Sequence, residues 1–67
     1  ATLAFDIDPE SLVADLKKLI FSRIRVETKY QQLQVKNHGK LETMIDECSL
    51  SFYNIQDGVF IFLENLQ

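Results

Sequence analysis

The feature that most limits what this chain can become is one helix-period apolar stripe with two-residue periodicity on both sides of it. Val13, Leu16, Ile20 and Ile24 recur at i, i+3, i+7 and i+11, with Leu12 and Leu19 flanking the stripe. Asp15, Lys18, Ser22 and Arg25 occupy the opposite side, so Leu12 to Ile24 reads as an amphipathic helix. A single helix of this length cannot bury its stripe against itself and needs a second layer. The alternating segments supply one. Thr2 to Ile7 sets Leu3, Phe5 and Ile7 against Ala4 and Asp6, and Gln31 to Lys36 sets Leu33 and Val35 against Gln32, Gln34 and Lys36. Val59 to Leu66 sets Ile61 and Leu63 against Phe60, Phe62 and Glu64. The expected class is therefore α+β, with one main helix packed on a sheet.

The punctuation between these segments fits that order. Asp8-Pro9-Glu10-Ser11 breaks the first alternating run, because Pro cannot donate to a ladder and suits a first helical turn. Asp8 or Ser11 is the expected N-cap. Acids precede the helix and bases close it, as its dipole favours. Val26 to Tyr30 is a connector. Asn37-His38-Gly39-Lys40 is turn chemistry leading into a short strand over Leu41 to Thr43. Met44 to Asn54 reads as irregular, and Asp57-Gly58 turns into the last strand.

The 67 residues make one domain, 1–67, near the size at which a single core can still carry a fold. No apolar run approaches the eighteen or so residues of a membrane span, and the N-terminus lacks a signal-peptide pattern. The single cysteine, Cys48, excludes a disulfide framework and a cysteine-rich metal site, which fits a cytoplasmic or nuclear location. The net charge of −3 is segregated: residues 1–16 carry four acids and no base, and residues 41–67 carry five acids and no base. All seven bases lie from Lys17 to Lys40 against one acid, Glu27, so the middle of the chain is +6.

Leu50-Ser51-Phe52-Tyr53-Asn54-Ile55-Gln56-Asp57-Gly58 ahead of an alternating strand resembles the ubiquitin family, whose members carry a Leu-Ser-x-Tyr-x-Ile element there. Asp8-Pro9 before a Val-x-x-Leu-Lys-x-x-Ile helix, and Gly39-Lys40-Leu41-Glu42 after a strand, match as well. The resemblance spans essentially the whole chain. It implies a ubiquitin-like β-grasp fold, a mixed sheet packed on one main helix, in which Thr2–Ile7 is the second strand and the first is absent from this sequence. That first strand lies centrally in the family. Leaving its neighbours unpaired would cost ~1–3 kcal/mol for each buried polar group, against a typical total stability of ~5–15 kcal/mol. It is therefore expected from residues before Ala1, the chain being a fragment of a longer one, or from another polypeptide by strand addition. Tyr53 is expected to bury its ring and pin its loop through its hydroxyl. The expected core joins Leu50 and Ile55 to Leu3, Phe5, Ile7, Val13, Leu16, Ile20, Val26, Leu33, Leu41, Ile61 and Leu63.

The function implied is non-catalytic recognition of a protein partner, of the kind found in the ubiquitin–proteasome system. The chain ends Glu64-Asn65-Leu66-Gln67 without a Gly-Gly tail, so action as a covalent modifier is not expected unless residues follow. Where ubiquitin presents its apolar patch, the matching outward positions hold Gln34, Phe62 and Glu64. Alternation places Phe60 and Phe62 on the open sheet face with Gln32 and Gln34, and large aromatics there mark an interaction surface. The alternative is a ribonucleoprotein component contacting nucleic acid through Lys18, Arg23 and Arg25, though bases on an amphipathic helix are ordinarily just solvated. His38 reads as an exposed turn residue and Cys48 as a structural thiol, since neither has ligand or base partners at useful spacing. No phosphate-cradling loop, triad or metal set appears, so neither catalysis, nor a cofactor, nor a small-molecule substrate, nor membrane association is expected.

Overall fold

The stripe forms α1, Val13–Ile24. Neither expected cap is used. Asp8 closes its own turn, its carboxylate accepting from the Glu10 N–H and its carbonyl from the Ser11 N–H, both at 2.9 Å. The residue in the N-cap position is Leu12, in extended backbone, which has no side-chain acceptor to offer. The first amides therefore find acceptors elsewhere. The Leu12 N–H donates to the Asp15 carboxylate at 3.1 Å. The Val13 N–H donates to the Cys48 carbonyl at 2.9 Å and the Ala14 N–H to the Asp46 carbonyl at 3.2 Å. At the other end Arg25 turns left-handed (φ 61°), and its N–H donates to the Phe21 carbonyl at 2.9 Å.

The computed structural model describes residues 4–55 and 58–67, and over these α1 packs against one three-stranded antiparallel sheet. Its strands are β1 (Gln31–Asn37), β2 (Lys40–Thr43) and β3 (Ile61–Asn65), in the order β2-β1-β3. Short 3-10 turns over Thr28–Tyr30 and Ser51–Tyr53 complete the element order. His38 and Gly39 both have positive φ, 51° and 82°, the two-residue turn that matches strand twist. This turn pairs Asn37 with Lys40 and so sets the register of the whole β1–β2 ladder. No helix among the described residues is long and apolar enough to cross a membrane.

Burial alternates along β1, with Gln31, Leu33 and Val35 buried toward α1 and the residues between them half-buried on the far face. The core joins Val13, Leu16 and Ile20 of α1 to Leu33 and Val35 of β1, closed by Met44, Leu50 and Tyr53. Phe5, Ile7, Cys48, Ile55 and Ile61 pack partly against it. Lys17 lays its stem into this core, with its ammonium 2.7 Å from the Asp46 carboxylate. Gln31 is also buried. Its amide nitrogen donates to the Lys17 carbonyl at 3.0 Å and the Val26 carbonyl at 2.8 Å, tying the helix and connector to the first residue of β1.

Several expectations are corrected. Residues 4–7 form no strand, because no neighbouring strand lies beside them to pair with; Leu3 is outside the described residues. Every described ladder is antiparallel, where the family resemblance implied a mixed sheet; no parallel pair forms among the described residues. The last strand begins at Ile61 and not at Val59, because the β1–β3 pairing ends at Val35–Ile61. Leu41, expected in the core, is 58% exposed: the turn register sets it opposite Lys36, whose side chain points away from α1. Met44 takes the inward position instead, its N–H donating to the Leu33 carbonyl at 2.8 Å. Leu63 and Ile24 are on the inward side but 38% and 39% exposed.

These placements separate two leucines that look alike in sequence. Leu33→Ala is expected to cost roughly 2–5 kcal/mol through the cavity it leaves, and Leu41→Ala within about 0.5 kcal/mol. Denaturant titration of both variants checks this; comparable losses would mean that the hairpin register is different.

Candidate functional site

The sheet face turned away from α1 is built by hydrogen-bond alternation. The Leu66 N–H donates to the Tyr30 carbonyl at 2.8 Å. Given the β1–β3 register, the pairs Gln32–Glu64 and Gln34–Phe62 then exchange backbone hydrogen bonds, while Leu33–Leu63 and Val35–Ile61 face each other without them. The same parity sends Gln32, Gln34, Phe62 and Glu64 to the outer face. Gln34 lies between Thr43 of β2 and Phe62 of β3, with Cα pairing on both sides. Diagonally, the Gln32 amide nitrogen reaches the Thr43 hydroxyl at 3.5 Å. Phe62 is 51% exposed, and nothing in the described chain covers it from outside.

Phe60 stands differently. It is 68% exposed but precedes β3, one pair beyond the end of the ladder, so only Phe62 is held in register with the two glutamines. The outer face also carries a residue that the sequence reading assigned to the core: Leu41, across from Lys36. It borders a shallow depression shared with exposed Phe52, whose ring meets that of Tyr53 edge-on at 5.1 Å. The turn residues that fix the Lys36–Leu41 pairing were the signal that would have found it.

The three basic candidates do not converge. Five residues apart on α1, Lys18 and Arg23 lie about 140° apart around the axis. The Arg23 guanidinium sits 5.4 Å from the centre of the Phe5 ring, and that of Arg25 sits 5.6 Å from Phe21. Both are engaged in covering apolar rings. Exposed His38 occupies the hairpin turn, and half-buried Cys48 lends its carbonyl to the start of α1.

Tyr53 anchors the segment between β2 and β3. Its hydroxyl accepts the Ile45 N–H at 2.8 Å while its ring is buried in the core. Burial pushes its phenol above the ordinary tyrosine value; the Ile45 hydrogen bond opposes this, and neighbouring Cys48 adds to it.

No protein-family model matches the chain, and no curated protein matches it.

The raised phenol gives a signed expectation. The folded state holds the Tyr53 proton to higher pH than the unfolded chain does. Its contribution is therefore complete below the unfolded value of about 10 and declines as pH rises beyond it. Tyr53→Phe is expected to lose about 1 kcal/mol at neutral pH, by orphaning the Ile45 N–H, and to flatten the alkaline decline. Urea midpoints of both proteins from neutral pH to above 10 test this; an unchanged alkaline slope would assign the decline to other groups.

Proposed function

We propose that this chain is a ubiquitin-like β-grasp domain that binds a protein partner through its outer sheet face and carries out no chemistry of its own. One observation carries the reading. Phe62 stands half-exposed within a paired strand, in register with Gln34, on the sheet face that the helix leaves open. An aromatic ring on a rigid ladder loses little side-chain freedom on binding and presents a large apolar area, which is what anchor residues at interfaces do. Gln32, Gln34 and Glu64 form its polar surround, Leu41 extends the apolar area on the far side of Gln34, and Phe60 extends it past the ladder's end. The helix followed by a hairpin, the buried tyrosine accepting a backbone N–H and the Leu-Ser-x-Tyr-x-Ile segment support the family part of the reading. A partner of the ubiquitin–proteasome type follows from that part. The nucleic-acid alternative has less support, because Lys18 and Arg23 diverge and two of the three bases cover rings.

Phe60→Ser together with Phe62→Ser is expected to weaken partner capture from cell extract by at least about 30-fold, since truncating an anchor costs ~2 kcal/mol or more, and to leave the thermal transition in place. Lys18→Glu with Arg25→Glu is expected to retain capture. Capture undiminished in the folded serine variant would sink the outer-face reading. Loss in the glutamate variant, with log affinity falling steeply against log salt, would favour nucleic acid or another polyanion.

A further inference from the structure

The charge segregation along the chain has a counterpart on one side of α1, away from the outer sheet face. Lys18, Phe21 and Arg25, at i, i+3 and i+7, fall within about 60° around the helix axis and form an exposed stripe. The Arg25 guanidinium lies 5.6 Å from the centre of the Phe21 ring, a stacked arrangement that leaves its edge free to meet a carboxylate. Beside the start of the same helix is the turn 45–48, closed by the Cys48 N–H donating to the Ile45 carbonyl at 3.0 Å. The turn is fixed in place. The Asp46 carbonyl accepts from the Ala14 N–H, the Asp46 carboxylate pairs with Lys17, and the Tyr53 hydroxyl accepts from the Ile45 N–H. What it presents outward is Ile45, 55% exposed, and exposed Glu47. Among the described residues Lys18, Arg25 and Glu47 make no ion pair.

Stripe and turn match each other. Each has one exposed apolar side chain, Phe21 or Ile45, beside charge of a single sign, positive on the stripe and negative on the turn. Both lie on one side of the helix: Lys17, whose ammonium reaches the turn, is about 40° around the axis from Phe21. Along the axis they are offset, with Arg25 about 16 Å beyond Ala14, where the turn is attached. Two complementary patches side by side on one face meet reciprocally across a twofold axis that runs between them, perpendicular to α1. The turn of each copy then falls on the stripe of the other, the two helices run antiparallel, and the contact is made twice and closes. We infer that the chain pairs with a second copy of itself through this face, Ile45 against Phe21 of the other copy and Glu47 against its Lys18 and Arg25. A second copy uses both patches, where an unrelated acidic protein on the stripe would leave the turn unused. The outer sheet face around Phe62 stays open in such a pair, so the inference does not rest on the proposed partner binding.

Sedimentation equilibrium of the full chain tests it, with two charge-reversed variants. Lys18→Glu with Arg25→Glu gives the stripe the sign of the turn, and Glu47→Lys gives the turn the sign of the stripe. All three positions are exposed, and the thermal transition of each variant is expected to stay in place. The unaltered protein is expected to rise with concentration to the mass of a dimer and no further, and to dissociate more readily as salt is added. Each variant alone is expected to dimerise at least about tenfold more weakly, since like charges are brought together. The two variants mixed in equal amounts are expected to regain the dimer, because each offers the charge that the other lacks. Four results would each overturn the inference: unaltered protein that stays monomeric to about 1 mM, variants that dimerise as tightly as it does, a mixture no tighter than its components, or a mass that climbs past two copies. Partner capture through the outer face is expected to persist in the Lys18→Glu, Arg25→Glu variant, so the failure of either reading is seen separately.

Discussion

The structure depends on a strip of backbone hydrogen bonds between residues 9–14 and residues 46–51. The Cys48 and Asp46 carbonyls receive the first amides of α1, the Ser11 carbonyl receives the Leu50 N–H at 2.9 Å, and the Pro9 carbonyl receives the Ser51 N–H at 2.8 Å. A helix that begins at a leucine has no local cap, so its start is stabilised only when the chain beyond β2 folds back over it. Tyr53 holds that chain in place through Ile45, and the Lys17–Asp46 pair lies on the same seam. Once the start of α1 is positioned this way, Val13, Leu16 and Ile20 lie over Leu33 and Val35, and the core follows. The helix, the irregular segment and the sheet are therefore expected to unfold together.

The second constraint is parity. A two-residue turn with both residues left-handed admits one register, and that register decides which face every residue of β1 and β2 occupies. The pairing of β1 with β3 passes the same parity on to the third strand. Three consequences follow from it: Gln32, Gln34 and Phe62 share the outer face, Leu41 is expelled from the core, and the backbone groups of Ile61, Leu63 and Asn65 turn away from β1.

What the sequence determined by itself is what depends on period and on local turn chemistry. Val13, Leu16 and Ile20 repeat at helical spacing, Gln31 to Lys36 alternate, and His38-Gly39 suits a left-handed pair, so α1, β1 and the hairpin were legible, and with them the outward glutamines and Phe62. The anchoring role of Tyr53 was legible too, because a phenol in an irregular apolar segment needs a partner for its hydroxyl. Only the tertiary structure decided how the start of α1 is capped, because the acceptors for the Val13 and Ala14 amides come from more than thirty residues away along the chain. It also decided that Met44 and not Leu41 turns inward, and that Phe60 falls outside the ladder, since a strand's limits are set by where its neighbour stops. The segment 4–7 makes the same point most plainly. Its alternation shows that it can be a strand, but strand formation is a property of a pair, and no described residue pairs with it.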